Sequence, residues 1–425
     1  MPEPRRLSLT LTTQILLALA LGAVVGAFLR EDVSPRVFET LGEIGKLVIQ
    51  AIKVAATPLL MLAIVNAILT AQVKGRSGLR MVVIATVNAT IALLIGLALS
   101  NMLQPGRHLS TVAVAVDAKA VRKVEPIDPI KVVSGFVPTS LVQPFADNSV
   151  LPLVAMSLML GLALRRLKDA GEGTESLERS FALLQRASEL ILGWIIRFVP
   201  LAVFAVVSKA VGEYGLEPLH GLAWYVGVGL LALTIHPLLT YQLWLVLYVR
   251  MSPLRFWRAA REAMVYAAGA NSSLATLPIT LRALDRLGVS KGSSALGACV
   301  GTNLNNDGII LYEAMAVLFV AQAHGVHMTL DQQVVAALSC LIAAMGIAGI
   351  PEAGFVSLSL VLVTVKLPME LLPLLLTVDW ILARGRSVVN VLSDMMVSIL
   401  LDRWDGNRFD EPAGDPGPAP EPAGA

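Results

Sequence analysis

AGANSSLATLPITLRAL, residues 268–284, is an apolar stretch interrupted at its middle by Asn271, Ser272, Ser273 and Pro278. A second apolar stretch, residues 331–366, is broken by GIAGIPEAG at 346–354. Both read as re-entrant hairpins rather than spans, because such breaks free backbone groups that lipid cannot satisfy. Each is followed by a helix carrying Asn and Asp at membrane depth, in GTNLNNDG (301–308) and in GRSVVNVLSD (385–394). A lone Gly/Pro break is usually a kink. The same hairpin-then-polar-helix unit occurring twice is the pattern by which two repeat-related broken segments meet at the bilayer midplane to build a binding site.

Composition sets the solvent. Of 425 residues 56% are apolar and 15% charged, and the mean hydropathy is +0.72, too little polar surface to cover a soluble globule of this size. Apolar stretches long enough for a hydrocarbon layer of roughly 30 Å recur near 13–29, 47–70, 81–103, 150–164, 182–211, 222–249, 293–323, 334–365 and 371–400. The first of these, though preceded by Arg5 and Arg6, reads as a membrane helix and not a cleaved leader, since more spans follow. Basic clusters at Lys74–Arg80, Arg165–Lys168 and Arg250–Arg261 alternate with acidic loops, which places the N-terminus in the cytoplasm. A net charge of +2 gives no reason to expect a nucleic-acid partner. The loop from Gln104 to about Lys131 reads as an outer aqueous connection, and the Pro/Gly/Ala-rich tail 405–425 as disordered and cytoplasmic. Cys299 and Cys340 read as buried packing residues, and Lys53 and Arg197 as snorkelling cations. The five histidines share no spacing with acids or cysteines and receive no role.

A charge at the bilayer centre costs on the order of 3 kcal/mol on insertion scales, so each needs a partner, a ligand or a wet cavity. Asp379, Arg386, Asn390 and Asp394 fall on one face of a helix. That stripe reads as a site facing the protein interior, with the Arg386 guanidinium taking a ligand carboxylate in bidentate fashion; an internal ion pair to Asp379 or Asp394 is the alternative. Arg384 points elsewhere on the same helix and needs its own partner, for which the first hairpin is the candidate. Gly301, Asn305 and Asp307 mark a place where a helix unwinds and offers oxygen ligands to a hard cation such as sodium. Glu313 lies deep in apolar sequence, where taking a charge out of water is costly, so it is a candidate proton carrier; a hydrogen-bonded structural acid is the alternative.

NSSLATLPIT, GTNLNNDGIILYEA, GIAGIPEAG and VDWILARGRSVVNVLSD, in this order, resemble the dicarboxylate/amino-acid:cation symporter family, which includes animal glutamate transporters. The resemblance extends back through VPTSLVQPFADNSVLPLVAMSLMLGLAL and RFVPLAVFAVV, so it covers nearly the whole chain to Trp404. It implies an all-α membrane protein with eight transmembrane helices and two re-entrant helical hairpins. A scaffold mainly within 10–72 and 134–212 would carry a mobile transport domain mainly within 78–104 and 220–402, and three copies would form a homotrimer. It further implies substrate contacts at Ser272, Ser273, Ile350, Gly354, Asp379, Arg384, Arg386 and Asn390, and sodium contacts at Gly301, Asn305, Asp307, Asn390 and Asp394. Coupling ions, sodium or protons, are the only small-molecule aids expected, and the chain is expected in the bacterial inner membrane with both termini cytoplasmic.

Departures from the family pattern bear on the substrate. Amino-acid-transporting members carry an aspartate one turn before the arginine to read the substrate amine, whereas this chain has Ala383. A bound ammonium would then be desolvated without a partner, at a cost of roughly 1–3 kcal/mol, which favours a C4-dicarboxylate. Arg384 and Glu313 match the animal glutamate transporters, and Glu352 at the second hairpin tip is another acid for an amine, so an acidic amino acid is the second reading. Hinges at Gly346, Gly349 and Gly354 would let that hairpin close. A transporter-like channel or sensor is a rival. Catalysis is disfavoured because Ser272 and Ser273 have no His or Lys base in register.

Overall fold

The computed structural model describes residues 11–28, 35–70, 76–109, 138, 140–147, 150–345, 353–369 and 371–409, all helix, turn or connection. Ile350, Glu352, Gly346 and Gly349 therefore lie outside the described residues, as do most of the outer loop and of the C-terminal tail. The principal helices are α1 (Leu11–Phe28), α2 (Pro35–Thr70), α3 (Arg76–Leu103), α4 (Val150–Asp169), α5 (Glu175–Ile196), α6 (Val199–Tyr214) and α7 (Glu217–His236). They continue with α8 (Pro253–Ala270), α9 (Ser273–Leu287), α10 (Asp307–Ala323), α11 (Leu330–Met345), α12 (Ala353–Thr364) and α13 (Leu372–Trp404).

Four segments among the described residues are long and apolar enough to cross a membrane: Glu39–Asn66, Arg76–Leu103, Glu175–Gly212 and Leu219–Val249. Their outward sides stay apolar, with Leu94, Leu184, Leu231 and Leu247 exposed. Exposed leucines over buried acids and amides invert the soluble pattern and fit a lipid solvent. This is a multi-pass membrane protein.

Packing sorts the helices into two groups. Helices α1, α2, α4, α5 and α6 pack mainly on one another; α3, α7, α11, α12 and α13 surround α10, α8 and α9 pack on each other and on α13, and the two sets meet where α6 touches α13 and α2 touches α12. From Asp307 to Ala321 every residue of α10 is buried, and Gly308, Ala314, Ala316 and Ala321 keep it slim enough to be surrounded. Within the first group α1 meets α6 at very short range. A Cβ on Gly26 would lie 2.5 Å from the Ser208 carbonyl oxygen and 2.9 Å from Val211 Cβ. Small residues four apart, here Gly22 and Gly26, let two membrane helices approach to backbone contact where no hydrophobic force distinguishes helix from lipid.

The two interrupted stretches fold back on themselves. Helices α8 and α9 are antiparallel about a tight turn in which Asn271 adopts the left-handed conformation (φ +50°). Glu262 on α8 pairs with Arg282 and Arg286 on α9, as antiparallel register requires. The first arm begins at Pro253, well before the 268–284 stretch that marks the hairpin in the sequence, because the Arg-rich end still winds as helix with its apolar side inward. Helices α11 and α12 also pack together.

Three sequence expectations change. The outer loop begins packed: Pro105, Gly106 and Leu109 are buried in a 3-10 turn, and the Gly106 N–H donates to Gln322 Oε1 at 3.0 Å. The C-terminal segment stays ordered to residue 409, since Asp405 takes Arg80 and Ser77, the Phe409 ring is buried, and the Phe409 carbonyl accepts from Arg255. Cys299 is exposed, on the outer side of a π-helical turn at Ala295–Val300, while Cys340 is buried as expected.

Gly26→Val is expected to overpack the α1–α6 crossing and lower stability by about 1–3 kcal/mol, read as a fall in the detergent-solubilised protein's unfolding midpoint.

Candidate functional site

The stripe on α13 is the base of the site. Asp379, Arg386, Asn390 and Asp394 are all buried. Arg386 Nη1 donates to Asp379 Oδ1 at 2.5 Å and Nη2 to Oδ2 at 3.0 Å, so the bidentate fork is filled from its own helix, seven residues back. The internal ion pair, the alternative at the sequence level, is what forms. The guanidinium also lies 4.1 Å from the centroid of the Tyr312 ring on α10, a cation–π contact in a dry place. Nothing in the spacing of Tyr312 announced it; the signal was a lone aromatic beside the Gly301–Glu313 polar run.

Both hairpins reach this stripe. Ser387 Oγ donates to Asn271 Oδ1 at 3.1 Å, tying the first hairpin's turn to α13 one residue after Arg386. Ser272 caps α9 by accepting from the Ala275 N–H at 3.2 Å, and Ser272 and Ser273 are half-buried at that turn. From the second hairpin, Gly354 abuts the guanidinium: a Cβ there would stand 2.9 Å from Arg386 Cζ, so glycine is what permits the approach. The Ala344 carbonyl on α11 accepts from Asn306 Nδ2 at 2.9 Å. Arg384 does not join this centre. Its Nη1 donates to the Trp380 carbonyl at 2.6 Å and its guanidinium lies over the Trp380 ring, so its partner is its own helix rather than the first hairpin.

The segment before α10 unwinds as expected. After Val300 the chain makes a single 3-10 turn, Gly301–Asn303, and Asn306 leaves the helical region before α10 starts at Asp307. Side chains of α13 hold this irregular backbone. Asn390 Oδ1 accepts from the Gly308 N–H at 2.9 Å, and Asp394 accepts from Thr302 Oγ1 at 3.0 Å and from Asn305 Nδ2 at 3.1 Å. Thr302 thus joins the candidate cation ligands, unrecognised from sequence because a threonine in an apolar run carries no distinctive spacing. Two buried acceptors on this turn, Asn305 Oδ1 and Asp307 Oδ1, have no hydrogen-bond partner among the described residues. Bare oxygens beside a buried carboxylate suit a hard cation in transit. Among the described residues no group of three or more His, Cys, Asp or Glu is placed to hold a metal ion.

One sequence expectation is overturned. His236, given no role, is fully buried with Nε2 3.2 Å from Asp307 Oδ2. Tyr241 and Ser393 donate to the same oxygen at 2.7 and 2.8 Å. Glu313 is wholly buried on α10, neither carboxylate oxygen is in hydrogen-bond geometry, and its polar neighbours are Ser357 on α12 and Cys340 on α11.

A lipid-facing helical protein in which two hairpins and an unwound helix converge on buried, paired charges is a secondary transporter in its class. Residues 11–404 match the sodium:dicarboxylate symporter family, and the chain belongs to that family. It is 28% identical to a "C4-dicarboxylate transport protein" of Anaeromyxobacter dehalogenans (strain 2CP-1), covering 99% of each chain. It is 26% identical to a "Proton/glutamate-aspartate symporter" of Escherichia coli (strain K12), over 96% of this chain and 95% of that one. To a "Proton/sodium-glutamate symport protein" of Geobacillus stearothermophilus it is 25% identical, over 94% and 96%.

Asp379→Asn removes the carboxylate of a buried bidentate pair and is expected to destabilise the protein by up to about 3–5 kcal/mol. Unfolding in detergent with and without a small carboxylate checks it, since an added carboxylate supplies the missing oxygens and restores part of the loss.

Proposed function

We propose that the chain is a cation-coupled symporter of C4-dicarboxylates in the bacterial inner membrane, working by alternating access. The observation that carries this reading is the convergence of both hairpins on the Arg386–Asp379 pair. A substrate carboxylate replaces the Asp379 oxygens on Arg386, an exchange of one charge-assisted pair for another, which keeps the buried guanidinium neutralised throughout. Asn390, already bonded to the Gly308 N–H, links that event to the Gly301–Asp307 turn, so cation and substrate each complete part of the other's site.

The substrate assignment rests on Ala383, buried one turn before Arg386 where amino-acid carriers hold an acid, together with the name of the Anaeromyxobacter relative. Acidic amino acids are the second reading. Asp379 is itself a carboxylate at the site, able to receive an ammonium once Arg386 has turned to the substrate, and two relatives bear glutamate symporter names. Ser272, Ser273 and Gly354 are assigned to the substrate, as is Ile350 on the second hairpin. Gly301, Asn305, Asp307 and Asp394 are assigned to the cation, and Thr302 joins them. Arg384, bound to its own helix, is assigned a supporting rather than a contacting part.

The division into scaffold and transport domain belongs to the same proposal. That α1, α2, α4, α5 and α6 pack mainly on one another supports it, as do the apolar outer faces a homotrimer would cover. Movement of the second group past the first would carry the whole site across the bilayer with its internal bonds intact.

Uptake into liposomes by the purified protein decides between the substrates. Labelled succinate should accumulate under an inward sodium gradient while aspartate does not; aspartate accumulation instead would install the amino-acid reading, and uptake of neither under sodium or pH gradients would end the symport proposal. Glu313→Gln is expected to remove any acceleration by an imposed pH gradient and to spare sodium-driven uptake, measured in the same vesicles.

A further inference from the structure

We propose that His236 and Tyr241 are positioning residues for the cation site, holding one oxygen of Asp307 so that the other remains the ligand. This rests on the cation-coupled reading above and commits the Asp307 turn to sodium.

Three donors converge on a single carboxylate oxygen. Oδ2 accepts from Tyr241, from Ser393 and from His236, whose Nε2 carries the proton because a carboxylate only accepts. Oδ1 is buried and has no partner among the described residues. An ion pair that served only the fold would be expected to satisfy both oxygens of a carboxylate that no water reaches, since a bare buried acceptor is costly. Here three donors crowd one oxygen, and the bare one belongs to the residue two positions after Asn305, whose Oδ1 is also bare. That asymmetry is how donors that do not touch an ion orient the ligand that does.

The local backbone is shaped to produce it. His236 and Tyr241 are five residues apart, which on a regular α-helix puts their side chains about 140° apart. Pro237 has no N–H to give, and from Pro237 to Tyr241 the chain winds as a π-helical turn. The wider turn brings residues five apart onto one side. Both rings then reach Asp307, packed edge to face with centroids 4.9 Å apart. Thr240 fixes the other imidazole nitrogen at 3.2 Å. His236, Tyr241 and Asp307 are all fully buried, so the rings have no role at a surface and the carboxylate cannot turn to water. Ser393, the third donor, lies next to Asp394 on α13, so the two acids of the cation region are braced from one helix.

The test compares full-length wild type with His236→Ala, His236→Gln and Tyr241→Phe. Two quantities are read: the sodium concentration that half-saturates thermal stabilisation in detergent without substrate, and the half-saturating succinate concentration for uptake at saturating sodium. His236→Ala and Tyr241→Phe should raise the first by roughly 10–100-fold and leave the second within about twofold. His236→Gln, whose amide N–H reaches the place of Nε2, should recover most of the sodium affinity. Tyr241→Phe keeps the ring and so stays informative even where His236→Ala fails to fold. Unshifted sodium half-saturation in folded Tyr241→Phe or His236→Ala overturns the assignment, as does a parallel loss of succinate affinity, which marks a merely structural role. Wild-type protein indifferent to sodium in both assays defeats the sodium coupling and this inference together, whereas sodium-dependent wild type with unshifted variants defeats only the inference.

Discussion

A guanidinium buried in a membrane protein must be neutralised in every state the protein visits, and the arrangement around Arg386 follows from that demand. Asp379 neutralises it from the same helix, Tyr312 offers its ring face, and Gly354 is the residue that lets the second hairpin close to contact distance. An arginine fixed in this way is a structural charge, and in the symport proposed here it is also the receptor for the substrate carboxylate. Because Asp379 and an incoming carboxylate present the same oxygens, exchanging one for the other changes what the hairpin rests on without exposing an unpaired charge.

The irregular backbone obeys the same constraint. Unwound segments are tolerated within a membrane only where protein satisfies the freed groups. At the Gly301–Asp307 turn that work falls to Asn390, which receives the Gly308 N–H, while Asp394 fixes the Thr302 and Asn305 side chains, so a single helix supports both the substrate side and the cation side. The coupling proposed here needs no long pathway, since the two sites share Asn390 and the stretch of α13 on either side of it.

Much of this was legible in the sequence. The turn at Asn271 showed as a polar interruption in an apolar run, although Pro278, read with it, lies inside α9, and the α13 stripe showed because helical spacing is local. The unwound turn was visible as glycine and asparagine where lipid would otherwise demand continuous helix. Cys299, the packed start of the outer loop and the ordered residues 405–409 were misread, since each depends on which side of an element meets a neighbour.

What the sequence alone determined is the solvent, the helical class and the residues that require a partner, because hydrocarbon penalises every unpaired polar group and so makes each one conspicuous. What only the tertiary structure decided is who the partner is. His236 meets Asp307 across 71 residues because α7 packs on α10, and the π-helical turn that follows brings Tyr241 to the same carboxylate; Arg386 takes Asp379 while Asp394 is left to the Gly301–Asp307 turn. Pairing across elements, His236 with Asp307 and Asp394 with the turn, is set by the packing of segments distant in the chain, which no spacing within one element encodes; for Arg386 the helical spacing left Asp379 and Asp394 open, and the packing chose between them.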